Sequence, residues 1–171
     1  AARTLEFVNQ DEALPPDWLP YVVDLQMEAW LMGNSPDLAA AGFKVAQIGQ
    51  ACASCHEGIK AGPTVTPTAV PQRVFDEQEV MKRHAWAVDW MWVGLLANDQ
   101  ASWSKGANEL AEAPFPSVIL EQFPEQGFMD LEDTLHELAV EGQTATSADK
   151  RSLVFGKLLA TCARCHAEYR D

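Results

Sequence analysis

Apolar side chains recur every three or four positions along most of this chain and almost nowhere at every second one, the signature of helices with one buried face. The first stripe is Trp18, Val22, Leu25, Ala29 and Met32. It predicts a helix over 18–32, with Asp17 as N-cap and Gly33-Asn34-Ser35-Pro36 as the stop. Pro36 or Asp37 opens a second helix, which runs into Cys52-Ala-Ser-Cys55-His56. Lys60 to Arg73 carries Pro63, Pro67 and Pro71 and reads as a linker, because proline removes amide donors and breaks helices. A long helix is predicted over 76–97, with Met81, His84, Val88, Met91 and Leu95 on one face and Trp86, Trp90 and Trp92 widening it. Asp99 caps the next helix, over 100–112. A loop follows over 113–127 with Pro114, Pro116, Pro124 and Gly127. Phe128, Leu131, Leu135 and Leu138 mark a helix over 128–141 that ends at Gly142. Ser147 caps the last, over 148–169. The expected fold class is all-α.

The chain repeats itself. A shift of 110 residues superposes Cys52-Ala-Ser-Cys55-His56 on Cys162-Ala-Arg-Cys165-His166. The same shift places Trp18 on Phe128, Tyr21 on Leu131, Leu25 on Leu135 and Ile48 on Leu158. The repeated unit is thus a helical hairpin ending in C-x-x-C-H, and the second copy has two further helices in front of it. The expected division is a hairpin in 1–60, a linker in 61–73 and a four-helix unit in 74–171.

Charge narrows the partners. With 25 Asp+Glu against 12 Lys+Arg the net charge is −13, so nucleic acid and anionic membranes are poor partners. A basic protein partner suits this surface, and solubility alone explains it equally well. The most apolar run, Ala85–Ala97, is interrupted by Asp89 and falls short of the about 20 residues that span a bilayer, so the chain is not expected to be membrane-spanning. A start at Ala1 without Met fits a processed mature chain and a trimmed one equally.

All four cysteines fall in the two C-x-x-C-H motifs. On a helix, positions i, i+3 and i+4 share a face. Two thiols so placed can add across the vinyl groups of one porphyrin, and the adjacent imidazole reaches its iron; this is the attachment signature of c-type haem. Zinc is a weaker reading, since a zinc ribbon has no need of His after each pair and the motifs lie far apart. A thioredoxin-like dithiol expects a βαβ setting that this helical pattern lacks. Two haem c groups are therefore expected, tethered by Cys52 and Cys55 and by Cys162 and Cys165, with His56 and His166 as proximal iron ligands. Thioether attachment takes place on the exported side of bacterial membranes, which implies a periplasmic or otherwise exported protein. No cysteine remains for a disulfide, so the haems also serve as core filler.

Residues 74–171 resemble the class II cytochromes c, the cytochrome c′ and c556 group. The resemblance rests on Cys162-Ala-Arg-Cys165-His166-Ala-Glu-Tyr169-Arg170 near the C-terminus and on Val80-Met81-Lys82 in the first helix. It covers a little over half the chain and implies a four-helix bundle with haem between the helices. It also implies that a residue of the first helix faces the distal side of the iron. In c556 this is a Met, matched by Met81. In c′ it is apolar, and the five-coordinate iron binds small gases. Residues 17–60 look like the last two helices of the same unit without the first two.

The remaining ligand candidates are few. His84 lies on the inward stripe of the long helix and is either a distal ligand or a buried neutral imidazole; Met81 is the alternative ligand. His136 lies beside its helix's apolar stripe. Met27 and Met32 are candidates for the first haem, as His84 and His136 are, with core packing the competing role for both methionines. Trp86, Trp90 and Trp103 either line haem pockets or fill the core. Arg164 and Lys157 either meet propionates or are solvated. The expected function is electron transfer between redox partner proteins. A gas-binding cytochrome and a dihaem peroxidase are the rivals. The half-sized first unit invites a homodimer.

Overall fold

Helix caps that the sequence pattern singles out set three of the helix starts in the computed structural model, which describes residues 15–63, 69, 77–112, 115–123 and 125–169. Among these all regular structure is helical. A 3-10 turn, Pro16–Trp18, leads into α1, Leu19–Gly33; α2 is Leu38–Gly58, α3 Glu77–Leu96 and α4 Gln100–Ala111; α5 is the short Ser117–Leu120, α6 is Gln126–Gln143 and α7 is Ala148–Tyr169. The Asp37 carboxylate accepts from the Ala40 amide at 2.7 Å, Asp99 from Ser102 at 2.7 Å and Ser147 Oγ from Lys150 at 3.3 Å.

Three boundaries depart from the pattern. Asp17 lies inside the 3-10 turn and caps nothing. The entry to α1 is shaped by Pro16 and Pro20, which lack the amide a cap would satisfy. Gly142 does not stop α6. The helix runs one residue further, to Gln143, and the Gly142 carbonyl accepts the Trp103 indole at 2.8 Å. The 113–127 loop holds α5. Most of the 61–73 linker lies outside the described residues.

The helices α3, α4, α6 and α7 form an up-and-down bundle: α4 packs on α3 and α6, and α7 packs on α6 and touches α3. Its core is Met91, Leu95, Trp103, Phe155 and Leu158, each below 2% exposed. The hairpin is not set apart from this bundle. Its α2 lies along α7 with the most extensive helix contact in the molecule, and also meets α3, while α1 packs on α2. The seam is made of small residues, Gly42, Ala46, Gly49 and Ala53, all buried. Gly42 admits Leu159, Gly49 admits Trp92 and Leu95, and Phe43 sits against Gly156. Gly42 meets Leu159 while the Gln50 amide donates to Asp149, so α2 and α7 run antiparallel. The two C-x-x-C-H motifs consequently stand at opposite ends of this pair, their centres roughly 27 Å apart along the helix axis at 1.5 Å per residue.

Asp99 supplies a pH-dependent part of this stability. Hydrogen bonds from the Ser102 hydroxyl and amide hold its carboxyl below the ordinary value. A folded pKa below the unfolded one makes the contribution complete above about pH 4 and removes it as pH falls through the folded value. Asp99→Ala is expected to cost about 1 kcal/mol at neutral pH. The gap to wild type should close on acidification, read by urea titrations across that range.

Candidate functional site

The second motif opens onto a cavity whose walls come from three helices and the loop residue Phe115. The α3 stripe supplies Met81, His84, Ala85 and Val88; α6 supplies Phe128, Leu131, Glu132 and Leu135; α7 supplies Leu159, Thr161, Cys162, Cys165 and His166. These positions recur at helical spacing on each element, so each helix turns one face inward here. The space comprises two adjoining cavities of about 400 and 380 Å3 that share Met81, Phe115, Phe128, Cys165 and His166. The first is closed by Ile119 of α5 together with Phe123 and Tyr169, and Phe123 stacks on Phe128 at 4.8 Å. The lining of the second cavity is almost wholly carbon, as a flat apolar macrocycle requires, while that of the first is mixed, and both sizes lie within the range of small-molecule sites.

The thiols here are not poised as thiolates. Burial, and then the neighbouring Cys165, pushes Cys162 up to about 11. Burial, and then Glu168, pushes Cys165 up; burial, and then Cys55, does the same to Cys52. A reactive dithiol needs the opposite direction. All four cysteines are free, and among the described residues no three His, Cys, Asp or Glu side chains are grouped to hold a metal ion. The cysteine pairs stand too far apart to share a zinc.

The first motif is built differently. His56 is half-buried, and its Nδ1 lies 2.8 Å from the Leu96 carbonyl at the end of α3. A carbonyl only accepts, so Nδ1 carries the hydrogen, and in the neutral ring Nε2 keeps the lone pair that a metal would take. This contact joins one of the orphan carbonyls of α3's last turn to the motif. Cys52 and Cys55 are half-buried beside it.

The other candidates separate clearly. Met81 and His84 are half-buried in the second cavity, with His84 edge-on to Phe115 at 5.2 Å. His136 is exposed on α6 and lines neither cavity. Met27 is 54% exposed. It borders a polar groove of about 260 Å3 with Asp24, Gln47, Gln50 and Ser54, on the flank of α2 that faces α1 and away from Cys52 and Cys55. Met32 is half-buried on α1, outside that groove.

The Trp side chains take the core role. Trp103 is fully buried, and Trp86 and Trp90 pack beneath the Lys105 ammonium, which lies 3.8 Å from the Trp90 ring centre. None of them borders the cavities of the second motif, whose aromatic walls are phenylalanines and Tyr169. Arg164 is exposed, and Lys157 pairs with Glu141 at 3.5 Å on the surface.

Sequence reasoning missed Phe115, Ile119 and Phe123. Their signal was present: large apolar residues between prolines do not belong in a solvated loop. It also missed the Leu96 carbonyl, for which a sequence carries no signal. Among the described residues no helix is long and apolar enough to cross a membrane. No family model, curated protein or solved structure matches the chain.

Proposed function

We propose that the chain is an exported dihaem cytochrome c of class II type that carries electrons between protein partners. The observation that carries this reading is the apolar cavity in which Cys162, Cys165 and His166 share walls with Met81 and His84. Cys162 and Cys165 tether one haem through thioethers, His166 supplies its proximal nitrogen, and His84, with Met81 as the alternative, supplies the distal ligand. Cys52, Cys55 and His56 hold the other, with the imidazole oriented by the Leu96 carbonyl. When bound, such a group supplies an iron that cycles between ferrous and ferric. At the second motif the apolar walls would shield part of it from water. Motifs at opposite ends of the α2–α7 pair suit a protein that accepts an electron at one end and delivers it at the other. The net charge of −13 favours basic partners.

Absorption spectra test this. The oxidised and reduced protein should be low-spin and unchanged by CO. His84→Ala should turn one of the two haems high-spin and CO-sensitive while the other stays low-spin. A wild-type spectrum that is high-spin and shifts with CO would replace the reading by gas binding. Should Met81→Ala alone change the spectrum, the distal ligand is the thioether. If both variants remain low-spin, neither side chain ligates iron.

A further inference from the structure

Arg151, in the first turn of α7, is 3% exposed, and neutral groups hold its guanidinium. Nε donates to the Ala145 carbonyl at 3.4 Å and Nη2 to the Thr146 carbonyl at 3.2 Å, both in the α6–α7 connection. Nη1 donates to Asn98 Oδ1 at 3.1 Å and Nη2 also to Gln100 Oε1, where α3 gives way to α4. Among the described residues no carboxylate lies within ion-pair distance of it. A buried charge without a counter-ion is a costly way to join two connections. Its planar fork instead fixes the acceptors relative to one another.

The turn held in this way is the one that ends α3. The Asp99 amide bonds the Gly94 carbonyl and the Asn98 amide the Leu95 carbonyl, the double closure that a left-handed residue makes at a helix C-terminus; Asn98 provides it with a φ of 48°. Together with the Ala97 amide on Val93, these bonds use the carbonyls of 93–95 and leave that of Leu96 to His56 Nδ1 at 2.8 Å. The Asn98 side-chain amide then donates across to Glu57 of α2, next to His56, at 3.4 Å. The internal repeat does not copy this clasp at the second motif. Under the shift of 110 residues Glu57 becomes Ala167, and Arg151 falls on Ala41.

We infer that Arg151 and Asn98 are positioning residues for the first motif: they hold the last turn of α3 so that the Leu96 carbonyl stays aimed at His56 and keeps its ring set to bind iron through Nε2. What His56 binds rests on the haem reading above; the clasp itself rests on hydrogen bonds within the chain. The second motif, which lacks the clasp, serves as the internal control.

Hydrogen exchange of the histidine ring N–H groups in the reduced, haem-loaded protein, followed by NMR after labelling histidine nitrogen, tests this. Asn98→Gly keeps the left-handed turn, because glycine adopts positive φ freely, and removes only the side chain. It should speed exchange at His56 roughly fivefold or more, the loss of about one hydrogen bond, and leave His166 as in wild type. Arg151→Gln should do the same. Ser147→Ala removes the α7 cap beside the same connection and should leave both rings unchanged. Exchange at His56 that stays within about twofold of wild type in either variant that folds overturns the inference. So does equal acceleration at His166, the mark of general loosening, or acceleration at His56 in Ser147→Ala to the same extent. An intact mass without haem removes the haem reading itself and, with it, the iron that His56 is held for. Mass and exchange together therefore tell the two failures apart.

Discussion

Protein matured in a host that attaches c-type haem should run on a denaturing gel as a coloured band, with an intact mass above the bare 18.8 kDa chain by two haem groups. Replacing Cys162 and Cys165 by serine should remove one of them and replacing Cys52 and Cys55 the other, as read by intact-mass spectrometry. The two losses should differ in their effect on folding. The second motif opens on a cavity bounded by Val88 of α3, Leu131 of α6 and Phe115 before α5, so emptying it strips the packing partner from several helices at once. Leu→Ala cavities far smaller than this one cost about 3–5 kcal/mol, and cost rises with cavity volume. The C162S/C165S variant should accordingly show a strongly lowered thermal midpoint or molten behaviour. The first motif sits at the edge, between the α1–α2 hairpin and the end of α3, and its loss should leave the bundle folded. An unmodified wild-type chain of 18.8 kDa would remove both haem assignments together.

Trp103→Ala should be the most damaging single core substitution, costing about 4 kcal/mol. The indole is 0% exposed, lies against Phe155 at 6.4 Å between ring centres, and reaches the Gly142 carbonyl at 2.8 Å. Gly94 gives it room, since a Cβ there would collide with the Trp103 backbone. One side chain therefore joins α3, α4, α6 and α7. Truncation leaves a void in the centre of the bundle and a buried carbonyl without its donor. For a chain of this length the loss corresponds to a fall of roughly 10 °C in the melting midpoint. Trp103→Phe keeps most of the volume and forfeits the hydrogen bond, so about 1–2 kcal/mol is expected. Calorimetry on the three proteins separates the two contributions. Equal midpoints for Trp103→Ala and wild type would mean that the bundle core lies elsewhere.

Much of the helical layout was legible because it depends on neighbours in sequence. Asp37, Asp99 and Ser147 bond amides three residues on, so a cap can be read without knowing the fold. The stripe through Met81, His84 and Val88 faces inward as its spacing predicts. Gly142 was misread by one residue, because a glycine in the last turn of a helix and one just past its end look alike in sequence. The tryptophans stayed open between two roles for a similar reason. A large flat side chain fits a bundle core and a porphyrin face equally, and only the position of α4 places Trp103 in the former.

By itself the sequence determined the helices, their caps, the duplicated hairpin and the two sets of thiols and imidazole on single helix faces, because each of these is decided within one or two turns of chain. Tertiary structure alone decided that α2 lies antiparallel along α7, which sends the motifs to opposite ends of the molecule. It also decided that α5 closes one cavity with side chains from an apparent loop, and that a carbonyl of α3 orients His56. These are contacts between residues dozens of positions apart. They arise from how small and large side chains interlock across helices, and no local pattern encodes that.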